Sequence, residues 1–387
     1  MVDHPGHTKA SLFGGEDGTT HIGPRCSGRI ELDIKDHTDI LPVVKPLSSA
    51  PSLEEPAFLI GRQTVHLVDA QRDGRALSVD VWYPAMVTDE QLAQYEVLPG
   101  VSFTAAAARA EPPISHQNFP LILFSHGRTG MRHAYSLLCE ALAARGAIVV
   151  SADHPGDGLF DWALGTQVDD RTNEINRLGD ASFLLDQALS PDSALGRWAG
   201  WITDVVVIGH SYGAYTAFAA VAGARGAPAD QRVKAVVGMQ AYTRVMSDAM
   251  LARVGVPFLL VVGEQDVTTP ASTDADRVFE LASSPMAWRV DIAGAAHQAC
   301  SDMGLYLEVA DQIEGLPQLV LDYLASMAPD TVGGVLRPWR ENLLLHVQAI
   351  WAFLNSALLP DRGNGAPLAA LKRARGVTVR REPQPTV

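Results

Sequence analysis

Residues 205–218 read VVVIGHSYGAYTAF. Four branched apolar residues, Val205 to Ile208, are the signature of a strand buried on both faces, and the small residues from Ala214 onward suit a helix packed close to it. Between them, Gly209 and Gly213 flank Ser211 at two residues on either side. A nucleophile elbow needs this arrangement: a strand, a sharp turn that strains the serine backbone, and a helix beginning directly beneath the hydroxyl, with glycines where the chain crowds itself. Taken alone, Ser211 also suits a helix N-cap, because serine favours that position for local hydrogen bonding. The rest of the chain has to decide between the two.

Outward from this stretch the pattern alternates. The runs PLILFSHG, GAIVVSADHPG, VKAVVGMQA, VPFLLVVGEQD and AWRVDIAGAAH are short, rich in Val, Ile and Leu, and separated by helical spacers. AYSLLCEALAARG, for example, puts Leu138, Ala141, Leu142 and Arg145 at helical spacing and ends at Gly146. Upstream, TVHLVDAQRDGRALSVDVWYPA reads as two strands around an Arg-Asp-Gly turn. The expected architecture is α/β: a mainly parallel central sheet with an antiparallel N-terminal hairpin and helices on both faces.

A serine hydroxyl needs a base, and the base needs an acid that fixes its tautomer. In this fold the chain order is serine, acid, histidine. VPFLLVVGEQD puts Asp266 at the C-terminal end of a strand, where catalytic groups collect in such sheets, and Glu264 is the competing acid. His297 follows the last predicted strand, whereas His346 lies inside ENLLLHVQAIWAFL, a helix near the C-terminus. Two backbone donors are also required for the oxyanion. Tyr212 N–H follows the nucleophile, and Arg128 N–H lies in HGRTG, where Gly127 and Gly130 permit close approach of the backbone. His126 is read as a residue that orders this loop. Met131, Tyr212 and Met303 adjoin these elements and are the candidate substrate contacts. No metal or cofactor is expected, and the acid limb of activity is expected where an ordinary histidine titrates, about pH 6 to 7.

The segments DGRALSVDVWYPA, FPLILFSHGRTGMRHAYSLLCEALAARG, NRLGDASFLLDQAL, VVVIGHSYGAYTAF and AAHQACSD together resemble the bacterial platelet-activating-factor acetylhydrolase and predicted dienelactone hydrolase group of the α/β-hydrolases. The likeness runs from about Phe58 to Phe353. It implies a Ser211, Asp266, His297 triad, Arg128 and Tyr212 amides as the oxyanion hole, no cofactor, and short-chain or lipid-like carboxylic esters as substrates. Ala214 stands where the group usually has a further glycine, and serine rather than cysteine at the nucleophile position argues against dienelactone hydrolysis itself. A thioesterase, lactonase or amidase would use the same triad, and a catalytically silent ligand-binding relative would keep the pocket.

The remaining features set bounds. The chain has 387 residues, 47% of them hydrophobic, enough for one large catalytic domain, expected at 56–360. A net charge of −14 argues against nucleic-acid partners, and no run approaches a membrane span. The first 30 residues lack the apolar core of a signal peptide, so the expected location is cytoplasmic. Residues 1–55 read as an extension, with a short strand in RIELDIKD, and 361–387 as a basic, solvated tail. Residues 155–201 form a long connection containing Phe160, Trp162, Trp198 and Trp201 and are expected to supply a small cap, with each Trp more readily explained by core packing. Cys26, Cys139 and Cys300 read as free thiols, with a Cys139 to Cys300 pairing left open. Oligomeric state is not readable from the sequence.

Overall fold

The computed structural model describes residues 58–86, 89–98, 101–310, 316–358 and 366–383. The strand read in RIELDIKD, the rest of the N-terminal extension and Cys26 lie outside the described residues. The expected hairpin forms from β1 (Leu59–Asp69) and β2 (Arg75–Ala85), antiparallel along their whole length and turned at Asp73 and Gly74, whose φ angles are 53° and 71°. A tight hairpin turn needs positive φ, which Asp tolerates and Gly adopts freely. A second antiparallel hairpin, β3 (Leu92–Leu98) and β4 (Val101–Ala110), extends the same edge and was not anticipated from the sequence.

The parallel part of the sheet comprises β5 (Phe119–Ser125), β6 (Ile148–Ala152), β7 (Ile202–His210), β8 (Val233–Met239), β9 (Phe258–Gly263) and β10 (Met286–Ile292). These are the six apolar runs read from the sequence. With β11 (Val377–Pro383) the strand order is β11-β10-β9-β8-β7-β5-β6-β2-β1-β4-β3. The strand carrying the elbow, β7, is therefore central, flanked in parallel by β5 and β8.

The sheet is covered on both faces. Helices α1 (Ser136–Ala143) and α10 (Trp339–Ala357) share one buried cluster with Val206 and Ile208 of β7. Val205 and Val207, also buried, alternate to the opposite face. The helices introduced next are α2 (Leu159–Leu164), α3 (Asp170–Leu189), α4 (Gly196–Ala199) and α5 (Tyr212–Ala222). Every residue of α5 is buried, which its many alanines allow by letting the helix settle close to the strands. Helix α3 packs on α5. It is thus a layer helix of the sheet, so most of the segment expected as a cap is not one. Trp198 is buried against Tyr83, and Trp201 stacks on His116.

The C-terminal segment corrects a second expectation. After α6 (Asp248–Leu251), α7 (Ala275–Leu281), α8 (Met303–Val309) and α9 (Gln318–Met327), the chain runs through α10 into α11 (Ala366–Arg373) and then β11, which pairs antiparallel with β10. The segment is a paired strand rather than a free tail, while its basic side chains stay exposed: Arg381 lies over the Trp288 ring at 3.8 Å and Arg380 approaches Asp291 at 3.6 Å. Cys139 and Cys300 are buried and unpaired, which closes the disulfide question. Among the described residues, no helix is long and apolar enough to cross a membrane.

Candidate active site

The site begins with backbone strain. Ser211 has φ 52° and ψ −118°, a conformation that side-chain-bearing residues avoid and that persists only where the surroundings enforce it. Its N–H donates to Met239 on β8, and its carbonyl accepts from Ala214 and Tyr242, so the turn is held on both sides. The glycine spacing has a direct steric cause. A Cβ on Gly209 would lie 2.0 Å from the Gly213 backbone, and one on Gly213 would lie 1.9 Å from the Ser125 carbonyl. The strand, the helix and β5 meet without room for a methyl group.

Ser211, Asp266 and His297, which come from three separate strand ends, are brought together. The Ser211 hydroxyl lies 2.9 Å from His297 Nε2, and His297 Nδ1 lies 2.9 Å from Asp266 Oδ2 and 3.1 Å from Oδ1. With the carboxylate accepting, Nδ1 carries the proton and Nε2 is free to accept from the serine. All three are at least nine-tenths buried. Glu264, the competing acid, is exposed instead.

Burial alone would raise the Asp266 carboxyl. The His297 charge and hydrogen bond outweigh it together with the hydroxyl and N–H of Thr269, and hold the group at about 2. Thr269 Oγ1 donates to Asp266 Oδ2 at 2.6 Å, and the amides of Thr268 and Thr269 each donate to Oδ1 at 2.9 Å. Thr269 was not singled out in the sequence.

The second loop, HGRTG, leaves β5 beside the serine: a Cβ on Gly127 would lie 3.2 Å from Ser211 Cβ. The N–H groups of Arg128 and Tyr212 donate to no other described group. His126 is fully buried, its Nδ1 donating to the Gly127 carbonyl at 2.6 Å and its Nε2 accepting from His154 N–H. It orders the loop, and burial with the neighbouring His154 and Arg177 charges keeps it well below the ordinary histidine range. The Arg128 guanidinium reaches Asp157 at 3.2 Å and Asp170 at 2.5 Å.

His210, immediately before the serine, accepts from the Tyr135 hydroxyl at 2.6 Å and donates from Nε2 to the His297 carbonyl at 2.8 Å. The Gly127 N–H in turn approaches the same Tyr135 hydroxyl at 3.4 Å. One chain of contacts therefore ties the HGRTG loop, the elbow and the histidine loop together.

A cleft enclosing about 920 Å³, open mouth included, leads to Ser211 and His297. Met131 and Met303 line it. Tyr212 does not: its ring is buried, stacked on Tyr242 at 5.1 Å, and its hydroxyl faces Glu174 at 3.3 Å. Only its backbone stays with the site. The outer wall comes from α8 and α9, through Tyr306, Val309, Val320, Tyr323 and Leu324. Of the expected cap segment, Leu159 lines the cleft and Trp162 touches it through the Tyr323 ring at 5.1 Å. The long connection between β10 and α10 was the signal for this cover, by the same length argument applied to 155–201. Among the described residues, no cluster of His, Cys, Asp and Glu could hold a metal.

Strand order, elbow and Ser, Asp, His succession define an α/β-hydrolase. The family described as platelet-activating factor acetylhydrolase, isoform II, matches residues 90–174, a span that holds the HGRTG loop but not the elbow. Among solved structures, a ferulic acid esterase from Streptomyces cinnamoneus is similar with a TM-score of 0.63 and 22% identity, covering 86% of this chain and 98% of that one. No curated protein matches. The partial family match agrees with the platelet-activating-factor acetylhydrolase and dienelactone-hydrolase-like group that the sequence resembles, and the solved structure agrees with the fold.

Proposed function

We propose that the protein hydrolyses uncharged carboxylic esters with an apolar acyl group through an acyl-enzyme on Ser211. The observation that carries this reading is the continuous Ser211, His297, Asp266 hydrogen-bond series at the foot of an apolar cleft. Ser211 Oγ attacks the ester carbonyl while His297 Nε2 takes its proton, and the carbonyl oxygen, now an anion, is received by the amides of Arg128 and Tyr212. Collapse of the tetrahedral adduct breaks the bond to the alkoxy oxygen, to which His297 returns the proton. Water then attacks the acyl-enzyme, again losing a proton to His297, and the acid leaves. Asp266 stays ionised throughout and balances the imidazolium.

The substrate class follows from the lining. Arg128 is its one charged side chain among the described residues, and that charge is already met by Asp157 and Asp170. A carboxylate or phosphate on the substrate would lose its hydration for no new partner. Apolar carbons gain instead, at about 0.8 kcal/mol per buried CH₂, roughly fourfold in binding.

The test is kcat/KM for 4-nitrophenyl acetate, butyrate and octanoate, with wild type and Val320→Trp. Wild-type kcat/KM is expected to rise from acetate to at least butyrate, with the Trp variant losing octanoate turnover before acetate turnover. A chain-length profile identical in both proteins would contradict the assignment of this cleft to the acyl group.

A further inference from the structure

A buried cation stands behind the oxyanion loop. Arg177 on α3 is 0% exposed, and its Nε and Nη2 donate to Asp157 Oδ2 at 2.9 and 2.7 Å. The remaining donors go to the end of β5 and the loop that follows it. Nη1 reaches the His126 carbonyl at 2.7 Å and Ser125 Oγ at 3.1 Å, and Nη2 reaches the Gly127 carbonyl at 3.3 Å. The guanidinium carbon also lies 5.3 Å from the centre of the Tyr212 ring.

The Gly127 contact matters because of the peptide to which that carbonyl belongs. The C=O of Gly127 and the N–H of Arg128 are opposite ends of one planar unit, so fixing the oxygen fixes the direction of the N–H. That oxygen accepts from three sides: Arg177 Nη2, His126 Nδ1 at 2.6 Å and Gly130 N–H at 3.1 Å. Donors at a carbonyl draw electron density toward oxygen and make the N–H of the same peptide a better donor, an effect that is larger in a dry interior. A guanidinium does this most strongly because its donors are charged.

We infer that Arg177 is a positioning residue for acyl transfer, pinning and polarising the Gly127–Arg128 peptide so that the Arg128 N–H receives the oxyanion. The inference rests on Ser211 being the nucleophile. Asp157 makes the burial of the cation tolerable: it also accepts from Asn173 Nδ2 at 2.7 Å, and its backbone carbonyl accepts from Thr129 N–H at 3.0 Å. Breaking so buried a pair destabilises the fold, so loss of stability alone does not separate a positioning role from a structural one.

The experiment therefore counts working sites. Wild type, Arg177→Lys and Arg177→Met are titrated to completion with a fluorophosphonate, and kcat and KM for 4-nitrophenyl butyrate are expressed per titrated site. Inhibition by a trifluoromethyl ketone, whose hemiketal adduct with Ser211 Oγ carries the oxyanion, is measured alongside. Removing a direct oxyanion donor costs about 10²- to 10³-fold in kcat, so loss of its polarising partner is expected to lower kcat per site about 10- to 100-fold in Arg177→Met and less in Arg177→Lys. KM should stay within about threefold, and ketone affinity should fall in parallel with kcat, because the lost interaction belongs to the transition state. Wild-type kcat per site in either variant would overturn the inference. If Arg177→Met leaves no titratable site, Arg177→Lys decides by the same criteria. Asn173→Ala, which touches only the Asp157 side of the pair, is expected to lower Tm with kcat per site unchanged; a loss as large as that of Arg177→Lys would assign the effect to general packing. A wild type with neither turnover nor an adduct on Ser211 would instead remove the reading of Ser211 on which the inference rests.

Discussion

At Asp266 two opposing effects can be separated by residue. Desolvation favours the acid, whereas His297 and the Thr269 hydroxyl and amide favour the anion, and the anion wins. The folded-state value, about 2, is below that of the unfolded chain, so this group stabilises the fold above about pH 4 and loses that contribution as pH falls toward 2. Thr269→Val deletes the hydroxyl that lies 2.6 Å from Asp266 Oδ2 and 2.9 Å from the Gln240 carbonyl, and keeps the shape and both amide donors. We expect kcat to fall about 3- to 10-fold and acid unfolding to begin at higher pH, read from pH titrations of activity and of circular dichroism. An unchanged acid midpoint would mean that the hydroxyl does not hold the carboxylate. Asp266 was legible in the sequence because a strong apolar strand ends just before it. Thr269 was not, since a threonine in VTTP carries no signal of what its hydroxyl will meet. Tyr212 shows the reverse failure: position in sequence puts its amide next to Ser211, but only packing decides that the ring turns to Tyr242 and Glu174.

Between elements, the joints carry the information that periodicity misses. Asp302, fully buried just after the histidine loop, accepts from the N–H and hydroxyl of Ser136, both at 2.6 Å, and from Leu137 N–H at 3.3 Å. It thus fastens the histidine loop to the start of α1. Burial outweighs these donors and pushes the carboxyl up to about 7. Between about pH 4 and 7 the folded protein therefore holds a proton that the unfolded chain has released, and this group's contribution to stability declines as pH rises through that window. Asp302→Asn is expected to flatten that part of the stability profile, measured by urea unfolding at pH 4.5, 5.5 and 6.5. A slope equal to that of wild type would show that Asp302 does not titrate there. Apolar runs made β5 to β10 readable. The β3–β4 hairpin was not, because half of VSFTAAAARA is alanine, which carries little strand preference, and β11 was hidden by its arginines. The aromatic residues of 155–201 suggest a cap, but the main helix there belongs to the sheet layer and the cover comes from α8 and α9.

At the scale of the molecule, strand order does the assembling. The parallel strands β5, β7, β8, β9 and β10 lie in consecutive places in the sheet, and their C-terminal ends bring the HGRTG loop, Ser211, Asp266 and His297 to one edge. The pair β5 and β7 sits at the centre, where the tight contact of Gly209, Gly213 and Ser125 leaves the serine no relaxed alternative. This explains why the order of Ser211, Asp266 and His297 along the chain could be read before any geometry was known, while the walls of the cleft could not. The former follows from topology, the latter from how helices outside the sheet settle. The most direct measurement is hydrolysis of 4-nitrophenyl butyrate by wild type and Ser211→Ala, with intact mass and peptide mapping after fluorophosphonate treatment. The account predicts turnover and a single adduct on Ser211, both lost in the variant while its Tm stays close to that of wild type. Folded wild-type protein with neither turnover nor adduct, or an adduct and activity that survive in Ser211→Ala, would contradict it.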